Sequence, residues 1–150
     1  MPVVMADDKL SALLNTLHVP LPELKKEENF GLKMRIQHVA YMLQFVGEEG
    51  FSFSFSTYFR GPYSVDLAKK CSLMTENPEG TIGRSELARW FFDHDLEWLN
   101  AAVTIMMLSS SRSGGEREWF EAARQYRERL SEEDFKSILV ELRERKIIAD

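Results

Sequence analysis

The fold is decided by residues 33–70, KMRIQHVAYMLQFVGEEGFSFSFSTYFRGPYSVDLAKK, which predict a helix, a strand and the start of a second helix in succession. Over residues 34–46, apolar side chains recur at the i, i+3 and i+4 spacing of a helix and form two adjacent rows. A helix with this pattern is apolar around most of its circumference, as expected for one that other elements surround. We therefore predict a central helix that stops near Gly47 and Gly50, where glycine can adopt left-handed backbone angles.

Residues 51–60, FSFSFSTYFR, alternate between phenylalanine and polar side chains, which predicts a half-buried strand. The side expected to pack on the central helix consists of Phe51, Phe53, Phe55 and Phe59. The side expected to face water consists of Ser52, Ser54, Ser56, Tyr58 and Arg60. Because the backbone of a strand needs hydrogen-bonding partners, we expect this strand to pair with residues 3–5 or with residues 146–148.

The next residues, GPYSVDLAKK, predict a turn followed by a helix. Gly61 allows unusual backbone angles, and Pro62 fixes its own φ. Ser64 is a favoured N-cap for a helix that starts at Val65 and runs to about residue 74. Asp66 in the first turn would complement the positive end of that helix.

This junction resembles a group of prokaryotic, largely uncharacterised proteins related to the phage-associated, Panacea-type antitoxin domain. The resemblance is best over residues 35–67 and is carried by Gly61, Pro62, Tyr63, Ser64 and Leu67, with Val65 where many relatives have proline. It implies a compact, mostly helical domain used in regulation or partner binding. It implies no agreed catalytic residue.

The composition fits one globular domain of the cytoplasm. Of the 150 residues, 44% are hydrophobic and 29% are charged, and a chain of this length buries roughly 70% of its unfolded surface. The net charge of −5 disfavours broad, non-specific attraction to phosphate backbones. The single cysteine, Cys71, cannot form an intramolecular disulfide, and we expect an inert, packed thiol. The acidic N-terminal residues Asp7 and Asp8 do not resemble a signal peptide.

Helical patterns flank the central stretch on both sides. They predict a helix over residues 7–18, a short helix from residue 84, a buried core helix containing residues 101–108, a helix over residues 116–130 and a last helix capped by Ser131. The apolar run 101–108 is too short for the ~20 residues that span a bilayer, so we expect no membrane partner. Asp93, His94 and Asp95 can each ligate a cation, but neighbours on a helix point in different directions. We interpret Asp93 or Asp95 as an N-cap for the next helix.

These elements predict a mainly α (α+β) fold, a compact multi-helix domain around a central helix with a small β element. The domain would be winged-helix-like if the terminal Ile147 and Ile148 pair with the strand at residues 51–59. That pairing is a hypothesis, because periodicity predicts strands without naming their partners.

No catalytic motif stands out. The chain has no nucleophile elbow, HExxH sequence, Walker loop or Rossmann glycine pattern. A hydrolase site would have to be assembled from scattered side chains that the sequence does not connect. We therefore predict a protein that is not an enzyme, with no cofactor and no metal.

Two binding surfaces can be proposed from the sequence. The first is a protein-binding surface on the polar side of the strand, which can accept an added strand from a partner; it consists of Ser54, Ser56, Tyr58, Arg60 and Tyr63. The alternative is a winged-helix DNA-binding surface, which consists of Arg60, Lys69, Lys70, Arg112, Arg117 and Arg124. Residues 112–129 contain five arginines and four glutamates, a net charge of +1. Because basic residues alternate with acidic ones, the sequence favours a protein partner.

Overall fold

The computed structural model of the chain describes residues 5–58, 61–111 and 114–149. In these ranges it contains eight helices and one β-hairpin: α1 (Met5–Thr16), α2 (Leu21–Lys25), α3 (Phe30–Phe45), β1 (Ser56–Tyr58), β2 (Gly61–Tyr63), α4 (Val65–Leu73), α5 (Ser85–Phe92), α6 (Leu96–Ser111), α7 (Glu116–Tyr126) and α8 (Glu132–Glu144). The predicted mainly α fold with a small β element is confirmed.

Helices α3 and α6 form the centre of the core. Residues 99–106 of α6 are all buried, as are residues 36–40 of α3, so both helices are surrounded on every side. They contact each other, while α5 packs on α3, and α7 and α8 pack on α6. Burying a leucine or isoleucine side chain contributes roughly 1.5–3 kcal/mol, and this core contains many of them. The central helix expected from the sequence is therefore present and has a second central helix beside it.

Several helix starts lie at the caps that the sequence predicts. Ser64 Oγ accepts the backbone N–H of Leu67 at the start of α4, and Ser131 Oγ accepts the N–H of Asp134 at the start of α8. Asp95 Oδ1 accepts the N–H of Trp98 at 2.9 Å, at the start of α6. Asp95 is thus an N-cap, as predicted, and each cap satisfies a backbone donor that the helix leaves free.

The strand prediction is correct in its alternation and wrong in its length and pairing. Phe51 and Phe53 are buried and the serines between and after them are exposed, as expected for an extended segment with a period of two. A paired strand, however, exists only at Ser56–Tyr58, and its partner is Gly61–Tyr63 in an antiparallel hairpin. The expected partners at residues 3–5 and 146–148 were wrong where the structure describes them, since Met5 begins α1; residues 3 and 4 lie outside the described ranges.

Residues 146–148 form a helix-terminating turn and do not pair with β1. The N–H of Ile147 bonds to the C=O of Leu142 at 2.9 Å, and the N–H of Lys146 bonds to the C=O of Arg143 at 3.0 Å. With Lys146 at φ 60°, this is a Schellman motif, which folds the chain back over the last turn of α8. Ile147 and Ile148 are consequently buried against the helical core, and the pairing proposed for a winged-helix unit is absent.

Candidate functional site

Two glutamines of α3 hold the segment that contains the hairpin. Gln44 donates from Nε2 to the C=O of Phe53 at 2.8 Å and accepts the N–H of Phe53 on Oε1 at 2.7 Å. Gln37 makes the same pair of bonds with Ser64, at 2.9 and 2.8 Å. Each side-chain amide therefore replaces a neighbouring strand at one residue, and we call the pair the glutamine clamps. They fix residues 53–64 on α3 from both ends.

The register of the hairpin determines which backbone groups of β1 are available. The paired residues are Ser56 with Tyr63, Thr57 with Pro62 and Tyr58 with Gly61. Because proline has no N–H, the Thr57–Pro62 pair cannot exchange two backbone hydrogen bonds and must be a non-hydrogen-bonded pair of the ladder. The N–H and C=O of Thr57 therefore point away from β2, and those of Phe55, two residues earlier, point the same way.

This outer edge of β1 carries unused hydrogen-bonding groups. Across the ranges that the structure describes, the backbone groups of Phe55 and Thr57 make no hydrogen bond with another residue. Outward-pointing groups of this kind at a strand edge can pair with another chain. The opposite edge of the sheet is closed, since β2 lies against α3 and α6 and Pro62 has no N–H to donate. We call the backbone groups of Phe55 and Thr57 the open edge.

The residues predicted for protein binding lie along this hairpin. The side chains of Ser54 and Ser56 are exposed, and Tyr63 is half-buried. The backbone of Tyr58 belongs to β1, whereas its side chain and the whole of Arg60 lie outside the described part of the structure. Three of the five predicted residues are therefore placed on one segment, and two of these three are in contact with water.

The residues predicted for DNA binding do not form a single basic surface. Lys69 is exposed, but Lys70 lies 3.9 Å from Asp66. Arg117 forms ion pairs with Glu121 and Glu132. Arg124 is exposed on the same helix and donates to the backbone C=O of Glu128, while Arg60 and Arg112 lie outside the described residues. Of the four residues that the structure describes, Lys70 and Arg117 thus lie in ion pairs, as is common on solvated helices.

A cleft of about 450 Å³ lies elsewhere on the molecule, between the start of α6, residues 127–130 and the start of α8. Its lining includes the indole of Trp98, an apolar floor, and charged residues of both signs. The sequence did not predict this cleft, because its walls come from segments about thirty residues apart. The sequence analysis placed two of its residues separately, Asp95 as a helix cap and Ala101 in a core helix, without bringing them together.

His38 is a fully buried link between the two central helices. Its Nε2 lies 2.5 Å from Oδ1 of Asn100 on α6, so Nε2 carries the proton and donates. Burial lowers the pKa of His38 to about 4. The hydrogen bond to Asn100 acts to raise this pKa, and the nearby charge of Arg127 acts to lower it. The imidazole is therefore neutral at pH 7, and its Nδ1 has no hydrogen-bond partner among the described residues.

Other reactive groups show no arrangement that indicates chemistry. Burial raises the pKa of Cys71 to about 11, so its thiol stays protonated at neutral pH, in line with the predicted inert thiol. Within the described ranges, no group of three or more His, Cys, Asp or Glu side chains is placed to hold a metal ion. No helix in that part of the chain combines the length and the apolar character needed to cross a bilayer.

No protein-family model, curated protein or solved structure matches the chain. The resemblance to the Panacea-type antitoxin domain therefore stays a prediction from the Gly61–Ser64 junction. The glutamine clamps were missed by sequence reasoning, although a signal was present: Gln37 and Gln44 are polar residues seven positions apart on a helix that is otherwise apolar on most sides. Seven residues return a helix to the same face, so both amides face the same neighbour.

Proposed function

We propose that this chain is a non-enzymatic protein-interaction module that binds an extended segment of another polypeptide along the open edge. The observation that carries the proposal is that, among the described residues, the N–H and C=O groups of Thr57 in β1 and of Phe55 just before it have no hydrogen-bond partner. A partner strand would pair with these groups and become the third strand of the sheet, a mode in which main-chain bonds supply much of the affinity.

The glutamine clamps support this proposal because they fix the edge before a partner arrives. Gln44 makes with Phe53 the same two backbone bonds that a partner strand would make with Phe55 and Thr57. The amide also marks where an added strand must stop, since residue 53 is already occupied. A segment held in this way loses little conformational entropy on binding, which favours affinity.

Side chains next to the open edge would give the partner its specificity. Ser54 and Ser56 flank Phe55 on the exposed face and offer hydroxyl donors and acceptors. Alternate side chains of an added strand would lie over them, as in other cases of strand addition. A regulatory, antitoxin-like role follows from the family resemblance and forms part of this proposal. We do not propose DNA binding, because Lys70 and Arg117 lie in ion pairs and basic residues alternate with acidic ones along the sequence.

The open edge can be tested by removing one backbone donor. Thr57→Pro deletes the outward N–H, and the fold should tolerate it because that N–H is not used in the pairing with Pro62. Thr57→Val is the matched control, since it removes the hydroxyl and keeps the N–H. We expect wild type and Thr57→Val to capture the same partner from lysate of the native cells, and Thr57→Pro to lose it, as quantified by mass spectrometry.

Amide exchange adds a direct readout with the captured partner. The amides of Phe55 and Thr57 should become protected in the complex, because they would then donate to the added strand. Equal capture by Thr57→Pro, with these amides unprotected, would show that the contact is elsewhere. Enrichment of nucleic acid without any protein would contradict the function itself.

A further inference from the structure

The cleft beside α6 has the size and floor of a small-molecule site. Its volume of about 450 Å³ falls within the roughly 300–1,000 Å³ of typical ligand pockets. Ala101 and Ile138, each 4% exposed, form part of its floor, and Leu130 adds a half-buried apolar side chain. A small organic molecule could therefore bury an apolar body here.

One wall of the cleft is an aromatic side chain that its neighbours hold in place. The ring of Trp98 stacks on His94, with centroids 3.6 Å apart and planes 16° from parallel. Trp90 and Phe91 each meet Trp98 edge-on at 5.7 Å. The indole is thus fixed before any ligand binds, so binding would not have to order it.

Charged side chains of both signs line the cleft. Asp95 and Glu97 come from the start of α6, and Asp134 comes from α8. The connection between α7 and α8 adds Arg127, Glu128 and Arg129. Across the described residues, neither Glu97 nor Arg129 forms an ion pair within 4.0 Å. A ligand that carries both a positive and a negative group could pair with Glu97 and with Arg129 at the same time.

We propose that this cleft binds a small zwitterion with an apolar body, of the amino acid or dipeptide class. The ammonium group would lie beside Asp95 and Glu97, the carboxylate beside Arg129, and the apolar part against Trp98 and Leu130. The site is separate from the open edge, so it stands or falls independently of the function proposed above.

The charge requirement can be tested with three related probes. Glycyl-leucine carries both charges, its N-acetylated form lacks the positive charge, and its C-terminal amide lacks the negative one. In NMR titrations of the intact chain, glycyl-leucine should shift the indole N–H signal of Trp98. Each capped form should bind at least about tenfold more weakly, because each loses a charge-assisted hydrogen bond.

Single substitutions assign each charge to its side of the cleft. Glu97→Gln should weaken the binding of glycyl-leucine about tenfold and leave the binding of the N-acetylated form unchanged. Arg129→Gln should also weaken the binding of glycyl-leucine about tenfold, and it should leave the binding of the C-terminal amide unchanged. Glu86→Gln, on the exposed face of α5 outside the cleft, is the control and should change neither. No shift of the Trp98 signal with glycyl-leucine, or equal binding of the amide, would overturn the proposal, with circular dichroism confirming that each variant is folded.

Discussion

At the scale of single residues, buried polar side chains determine how the two central helices and the hairpin meet. Gln37 and Gln44 satisfy backbone groups that would otherwise be left without partners, and removing such a partner costs more than the bond itself contributes. His38 joins α3 to Asn100 on α6 with an imidazole that is 0% exposed. Hydropathy alone would not place these polar residues in or beside a core. The fold tolerates them there because each has a hydrogen-bond partner.

The first prediction concerns the pH dependence of stability and follows from His38. Its pKa is about 4 in the folded chain and 6.5 when unperturbed, so the unfolded chain binds the proton first as pH falls. The free energy contributed by the neutral imidazole is therefore complete above pH 6.5 and is lost between pH 6.5 and pH 4. The loss should reach about 3 kcal/mol at the acidic end.

Urea unfolding at pH 7 and pH 4 measures this loss. His38→Leu removes the titrating group, so the free energy of unfolding of wild type minus that of the variant should fall by about 3 kcal/mol between these pH values. A difference between wild type and His38→Leu that does not vary with pH would contradict the argument.

At the scale of elements, three helices end in the same turn with different residues at its left-handed position. The turn follows α1 at His18, α3 at Gly47 and α8 at Lys146, with φ of 58°, 85° and 60°. In each, the N–H of the following residue returns to a carbonyl five residues earlier. Glycine at Gly47 made the end of α3 predictable, whereas His18 and Lys146 gave no such signal. Ile147 and Ile148 were wrongly predicted to form a strand because the turn at Lys146 has no glycine to indicate it.

The second prediction uses these three turns as a matched series. A left-handed backbone costs a residue with a Cβ roughly 1 kcal/mol or more relative to glycine. Lys146→Gly and His18→Gly should therefore raise the free energy of unfolding, by about 0.5–1 kcal/mol each after the added entropy of the unfolded chain is subtracted. Gly47→Ala should lower it by about 1 kcal/mol.

Thermal unfolding of the three variants checks the sign of each change. A Cβ on Gly47 would meet no atom within 4 Å, so any destabilisation there reports backbone strain and not a clash. The Gly31→Ala substitution also meets nothing within 4 Å, at a helical position without positive φ, and should not destabilise the chain. A loss of stability in both Lys146→Gly and His18→Gly would contradict the series.

At the scale of the whole molecule, local features were predictable and contacts between distant segments were not. Ser64, Asp95 and Ser131 cap helices using residues three positions away, and the alternation at residues 51–55 needs only its own period. The hairpin of β1 and β2 is also local, but it was missed because residues 61–64 were interpreted only as a turn into α4. The cleft depends on α6 meeting α8, and the sequence contains no local trace of that meeting.

The third prediction concerns the distribution of stability over the fold. Amide exchange should be slowest in residues 36–40 and 99–106, because every residue of these stretches is buried and they open only with the whole domain. In the extended segment, the Phe53 amide should exchange about tenfold more slowly than the Phe55 amide. The reason is that Gln44 Oε1 accepts a hydrogen bond from the N–H of Phe53 and not from that of Phe55.

Gln44→Ala provides the test within one experiment. It should raise the exchange rate of the Phe53 amide to that of Phe55 and leave α6 unchanged. Equal rates for the two amides in the wild-type chain would mean that Gln44 does not hold the segment in solution.

The closed side of the two-stranded sheet has a consequence for crowded solutions. A fibre that grows by strand addition needs two open strand edges on each copy of the chain. Each added copy then presents a new open edge to the next one. In this chain, Pro62 and the helices that contact β2 close the strand edge on the β2 side. Two copies that paired through β1 would cover each other's open edge, and no second open edge of this sheet would remain among the described residues to continue the growth.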